Sequence, residues 1–258
     1  MTRTIARSDA GRVRDGNEDR YVVREDHGVV LMAVADGVGG EEGGEIAAGA
    51  AVAELALRFF AAPRDRALED RLADAIRDAN TAVLRAAESS GNRHAAATLV
   101  AAVLRRDHLV IANLGDSRAY LVRDGAPRQL TEDHRGATRH AITRFVGDPR
   151  GVQPDVFVED LRPADRLVLC SDGLTRHVSP EEIAAAVAHA PIDDAANALV
   201  ALANARGGED NVTVVLHDAR GARGSRPSRR AIGIALAVVV LAVVGAFAAL
   251  LSLAPSPR

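Results

Sequence analysis

The sequence predicts an α+β fold, with helices set beside runs of strands. Three observations carry this. Short apolar runs that end in Gly, Asp or Asn turn signals recur through residues 1–218. Longer helical patterns fall in two blocks, near 44–88 and 180–205, rather than alternating with single strands. No G-x-G-x-x-G follows a strand and no Walker loop occurs, so nucleotide binding on a doubly wound sheet has no motif support.

Taken in order, Val29–Ala35 reads as a buried strand that ends at Asp36-Gly37. A Gly-rich elbow, Gly37-Val38-Gly39-Gly40, leads into a helix over Gly44–Phe60. Pro63 interrupts the pattern, and a second helix is expected over Arg66–Glu88, stopped by Ser89-Ser90-Gly91-Asn92. Strands follow at Thr98–Leu104, His108–Asn113 and Arg118–Val122, with turns at Arg105-Arg106-Asp107 and Asp124-Gly125. Leu167–Cys170 is a further strand ending at Ser171-Asp172-Gly173. Helices are expected over Pro180–His189, with Ser179 as N-cap, and over Asp193–Ala205. Asn211–Leu216 closes as a strand.

The chain is 48% apolar but only 3% aromatic, so its core must be built from Ala, Val, Leu and Ile. All basic charge is Arg, and the net charge of -3 gives no reason to expect a nucleic-acid partner. Cys170, the single cysteine, sits in an apolar run and reads as a small buried hydrophobe rather than a catalytic thiolate. No secretory signal is expected at Met1-Thr2-Arg3-Thr4. Residues 231–254 carry no charge and are long enough to cross a hydrocarbon core of ~30 Å. Five Arg (220, 223, 226, 229 and 230) precede them in an Arg/Gly/Pro/Ser linker, residues 219–230, against one in the exit tail 255–258. A C-terminal transmembrane anchor with its domain on the cytoplasmic side is the expectation; a buried core helix is the alternative.

Asp36, Asp172 and Asp210 each fall where an apolar strand meets a Gly turn. Carboxylates at strand ends beside Gly are rigidly held yet reachable, and oxygen ligands of this kind suit Mg²⁺ or Mn²⁺. Asp-Gly is also an ordinary turn signal, and any one pair means little.

Six motifs add a family resemblance. Arg14-Asp15-Gly16-Asn17-Glu18-Asp19-Arg20 resembles the R-x-x-N-E-D opening of the bacterial PP2C-like (PPM) metal-dependent protein phosphatases. Val34–Gly40 is similar to their V-A-D-G-M-G-G, Gly115–Tyr120 to G-D-S-R-A-Y, and Gln129–His134 to Q-L-T-x-D-H. Cys170–Thr175 matches C-S-D-G-L-T, and Gly207–Thr213 matches G-G-x-D-N-V-T. They stand in the family's order across most of residues 1–218.

The resemblance implies a four-layer α-β-β-α sandwich of two antiparallel sheets flanked by helices, with a dimetal centre of Mn²⁺ or Mg²⁺. It implies that Asp36 bridges both ions, that Asp172 and Asp210 complete one shell, and that Glu18 and the Gly37 carbonyl hold the other. Asp19 would orient water from behind, Arg14 would bind the substrate phosphate, and Asp116 with Asp172 would contribute to a third ion. Hydrolysis would use a water activated by the two ions, with no phosphoenzyme. Implied partners are phosphoserine and phosphothreonine proteins and a serine/threonine kinase, at the inner membrane of a bacterium. The rival reading is a pseudophosphatase or scaffold that binds phosphoproteins without turnover; small-molecule phosphoesters are a third.

Departures from the family pattern are Val38 after Asp36-Gly37, where eukaryotic relatives often carry His, and Ala96-Ala97-Thr98 in place of G-T-T. The segment between His134 and Ile142 is short, implying a clipped flap. Arg176 stands where many members carry an acidic residue. Asp133 and His134 are expected to be structural, and His94, His108, His140, His177 and His189 show no metal-ligand spacing.

Overall fold

A computed structural model describes residues 3–39, 43–92, 94–136 and 141–219. The chain divides into two units, Met1–Ala222 and Arg223–Arg258. The expected membrane span 231–254, nearly all of its linker, and His140 lie outside the described residues. Among the described residues no helix is long and apolar enough to cross a membrane.

In chain order the first strands are β1 (Arg3–Asp9), β2 (Arg20–Asp26), β3 (Val29–Ala35) and the short β4 (Gly37–Val38). Helices α1 (Gly43–Ala61) and α2 (Leu68–Ser90) follow. Then come β5 (Ala96–Ala97), β6 (Leu99–Arg105), β7 (His108–Leu114), β8 (Arg118–Arg123), β9 (Ala126–Gln129) and β10 (Asp155–Asp160). The chain continues through β11 (Arg166–Cys170), α3 (Asp172–Thr175), α4 (Pro180–Ala188), α5 (Ile192–Ala205) and β12 (Val212–Asp218).

Two five-stranded antiparallel sheets form, in the orders β1-β12-β11-β8-β9 and β10-β7-β6-β3-β2. The period-two alternation of each central strand sets the layers. In β3, Leu31, Ala33 and Ala35 face α1 and α2, while Val30, Met32 and Val34 face the other sheet. In β11, Leu167 and Leu169 join the core between the sheets, while Val168 and Cys170 face α3, α4 and α5. Three apolar layers therefore hold four layers of secondary structure, the α-β-β-α sandwich that the motifs imply.

The turns follow local chemistry. Asp124 and Gly125 both take positive φ (54° and 80°) in the β8–β9 hairpin, as do His27 and Gly28 (48° and 73°) between β2 and β3. Ser179 caps α4 in a reciprocal pair with Glu182, and Pro180 opens it. Helix α2 runs two residues later at each end than expected, because the chain is extended at Ala67 and Gly91 stops it in the left-handed region. Asp172 does not stay in a turn but opens the short helix α3. Burial pushes the Cys170 thiol up to about 12, which leaves it the inert core residue that its setting predicts.

His217 on β12 gives the fold an acid limit. It is fully buried, its Nδ1 lies 2.7 Å from Thr4 Oγ1, and its Nε2 has no partner. Burial lowers its pKa from an unfolded value of 6.5 to about 4. A group depressed in the folded state contributes its stability above the unfolded pKa and loses it as pH falls toward the folded one. Between pH 6.5 and 4, wild type is expected to lose about 2 kcal/mol more than His217→Gln does, read from denaturant midpoints. Parallel pH profiles of the two proteins would show that protonation elsewhere sets the limit.

Candidate metal centre

The candidate residues lie just beyond strand ends, at one end of both sheets. Asp36 follows β3, Asp116 follows β7, Asp172 follows β11 and Asp210 precedes β12. Thr98 fixes Asp36 from both sides: its Oγ1 accepts from Asp36 N at 3.2 Å, and its own N donates to Asp36 O at 2.8 Å. Asn211 secures the N-terminal loop. Its Oδ1 accepts from Glu18 N at 2.7 Å, and its Nδ2 donates to the carbonyls of Ala10 and Gly16 at 2.9 and 2.8 Å.

Glu18 and Gly37 meet at the start of α1. A Cβ on Gly44 would stand 2.8 Å from Glu18 Cδ and 2.9 Å from the Gly37 carbonyl carbon, so only glycine lets the three approach. Asp19 is buried; its Oδ2 accepts from Ser171 Oγ at 2.7 Å and its Oδ1 has no partner. Arg14 is half exposed, and its Nη2 lies 3.0 and 3.1 Å from the two Asp210 oxygens, not beside Asp15 or Asp19. Arg176 donates to Asp172 Oδ2 from Nε and Nη2, at 2.9 and 2.6 Å, and its Nη1 is 3.3 Å from Asp210. Asp116 Oδ2 accepts from Arg135 Nε at 3.1 Å, while its Oδ1 is buried and unpartnered.

The charges are strained. Asp36 is held well above the usual carboxylate range, by desolvation first and then by Asp19, Asp172, Asp210 and Asp116. Part of its surface still reaches solvent, but protein crowds it closely enough for desolvation to lead. Burial raises Asp19 to about 7, against hydrogen bonds from Ser171 and Thr213. Asp172 is also raised by burial, with Arg176 opposing and Asp116 adding. Like charges thus gather in a low-dielectric place beyond what the guanidinium groups satisfy.

With the arginines drawn in, no three His, Cys, Asp or Glu side chains among the described residues converge at ligating geometry. The donor set nonetheless fits a hard divalent cation. Its donors are all oxygens, they are desolvated and mutually repelling, and two buried carboxylate oxygens lack any hydrogen bond. Asp133 and His134 are structural, as expected. Asp133 accepts both ends of the Arg118 fork at 2.8 Å, and His134 joins Gly115 N to Asp155. Asn211, Thr98, Ser171 and Arg135 were not singled out by sequence reasoning, although all four stand inside or beside its motifs.

Comparison with known proteins identifies the family. The Protein phosphatase 2C family profile matches residues 11–215. The serine/threonine phosphatase stp of Listeria innocua is 35% identical over 239 residues, covering 81% of this chain and 93% of that protein. The serine/threonine protein phosphatase PstP of Mycobacterium tuberculosis is 35% identical over 237 residues, covering 84% of this chain and 45% of PstP. The crystal structure of the PstP catalytic domain with two manganese ions superposes with a TM-score of 0.74 at 35% identity, covering 84% and 97% of the two chains. A Streptococcus agalactiae serine/threonine phosphatase gives 0.77 at 30% identity, covering 84% and 99%. The chain belongs to the PP2C-like family of bacterial protein serine/threonine phosphatases.

Proposed function

We infer that this phosphatase hydrolyses phosphoserine and phosphothreonine on proteins at a dimetal centre, on the cytoplasmic face of a membrane. One observation carries the reading: carboxylates at the strand ends of both sheets, Asp36 and Asp172 among them desolvated, crowd one another electrostatically beside a half-exposed arginine. Asp36, Asp172, Asp210, Glu18 and the Gly37 carbonyl are the groups that would hold two Mn²⁺ or Mg²⁺ ions. Two such ions supply an activated water and neutralise charge on the phosphoryl group. Asp19, buried and held by Ser171, would orient that water. Arg14 is tethered by Asp210 and can turn its planar fork to phosphate oxygens. Val38 offers no proton, so the leaving alkoxide takes one from water. The test is phosphate release by the full chain, in detergent, from phosphothreonine and phosphoserine peptides. Release that EDTA abolishes and Mn²⁺ restores is expected; peptides left intact while small phosphoesters are cleaved would overturn the protein-substrate reading.

The third ion is disfavoured in this chain. Arg135 sits on Asp116 and Arg176 on Asp172, so both carboxylates that the resemblance assigns to it already face a tethered cation. A titration with Mn²⁺ followed by calorimetry is expected to count two ions in wild type and a weaker third in Arg135→Ala/Arg176→Ala. Three sites of similar affinity in wild type would contradict this.

The membrane tether rests on the uncharged run 231–254 and its Arg-rich approach. Cutting the chain after residue 218 is expected to move the enzyme from the membrane fraction to the supernatant. A kinase acting on the same proteins is the partner that such an anchor would serve.

A further inference from the structure

A cavity of about 110 Å³ opens at the far end of β3 from the metal centre. Val29, the first residue of β3, lines it, and Asp36 follows the last. Seven residues at ~3.3 Å each put the two roughly 20 Å apart. Asp26, His27, the exposed Arg64 and Arg105, the half-buried Phe60 and the buried Arg71 complete its lining.

Arg71 is the unusual member. It is only 3% exposed, stacks 4.4 Å from the Phe59 ring centroid, and donates from Nη2 to Phe59 O at 2.9 Å, while its Nε has no partner. The C-terminal carbonyls of α1 answer part of its charge. Among the described residues no carboxylate does so: burial lowers its pKa first, and the charged groups that add to this are Arg105, Arg64 and Arg66. The acidic neighbours are engaged elsewhere. Asp26, on the cavity wall, lies 3.4 Å from His27 and 3.7 Å from Arg64, Glu69 pairs with His108 at 3.0 Å, and Asp74 takes Arg66 at 2.7 Å. A buried guanidinium ringed by guanidinium groups is costly unless something anionic shares the space.

We propose that this arginine cavity is a second anion site, one that takes a tetrahedral phosphate-class oxyanion on Arg71 and Arg105 away from the metal centre. The volume, below that of a cavity which holds benzene at ~150 Å³, suits an ion of this size. The guanidinium fork matches phosphate oxygens two at a time, and the Phe60 wall keeps bulk water from one side. Free phosphate, the product of the enzyme's own reaction, and the phosphate of a small monoester share this chemistry. The site does not depend on the metal assignment.

The test is calorimetric titration of inorganic phosphate, and separately of O-phosphoserine, into the EDTA-stripped full chain, with chloride at matched ionic strength as reference. Wild type is expected to bind one equivalent. Arg105→Gln, which alters only an exposed lining residue, is expected to weaken it by about tenfold or more, the loss of one charge-assisted contact. Arg71→Met is expected to abolish it. If Arg71→Met does not fold, Arg105→Gln still decides. Binding of both ligands would mean that a monoester is accepted; binding of phosphate alone would restrict the site to the free ion. Heat no different from chloride, or unchanged affinity in Arg105→Gln, would overturn the proposal.

Discussion

Replacing Asp36 with Asn is expected to lower turnover on a phosphothreonine peptide by about a thousandfold or more, with the metal-free protein at least as stable as wild type. The two effects have one cause. Asp36 is the carboxylate on which Asp19, Asp172, Asp210 and Asp116 all press, so without cations its charge is a liability to the fold. Asn keeps the shape and both backbone bonds to Thr98 while removing that charge. With Mn²⁺ the order should reverse, because wild type gains binding free energy that the variant cannot. Melting temperatures in EDTA and in Mn²⁺, measured beside turnover, check the crossover. A variant destabilised equally in both conditions would mean that Asp36 serves the fold rather than the ions.

Gly173→Ala is expected to cost about 2–4 kcal/mol and to weaken Mn²⁺ binding with it. A Cβ there would stand 2.0 Å from Asn211 O and 2.9 Å from its carbonyl carbon. Backbone, not a flexible side chain, is what it meets, so α3 must move away from the start of β12. That movement separates Asp172 from Asp210 and pulls on Asn211, which holds the loop carrying Arg14 and Glu18. Gly49→Ala in α1 is the control. Nothing lies within 4 Å of its added methyl group, and the helix should gain up to about 1 kcal/mol. Chemical denaturation with a parallel Mn²⁺ titration reads both quantities; equal, small effects at the two positions would refute the account of Gly173.

The sequence revealed the central strands and hid the outer ones, for a physical reason. β3, β6 and β11 are apolar on both faces over most of their length and β12 is nearly so, so each stands out as an apolar run. Apart from the two-residue β4 and β5, the strands not anticipated, β1, β2, β9 and β10, are the four edges of the two five-stranded sheets. Edges keep polar and charged residues toward solvent, and segments such as Arg20–Asp26 and Asp155–Asp160 resemble loops unless their alternation is read. The carboxylates of the site were legible because Asp beside Gly at a strand end is a local pattern. Their supports were not. Asn211 binds Gly16 across 195 residues, and Ser171 binds Asp19 across 152, so only the closed fold defines what those side chains do. Arg176 was visible as a departure, but its hold on both Asp172 and Asp210 needed the geometry.

Whether these carboxylates work through two bound cations is decided by adding Mn²⁺ stepwise to the EDTA-stripped full chain while following phosphate release from a phosphothreonine peptide. No release is expected before metal is added, and then a rise that saturates as the second equivalent binds. Release that persists in the stripped protein, or none from a folded chain carrying two ions, would contradict that expectation.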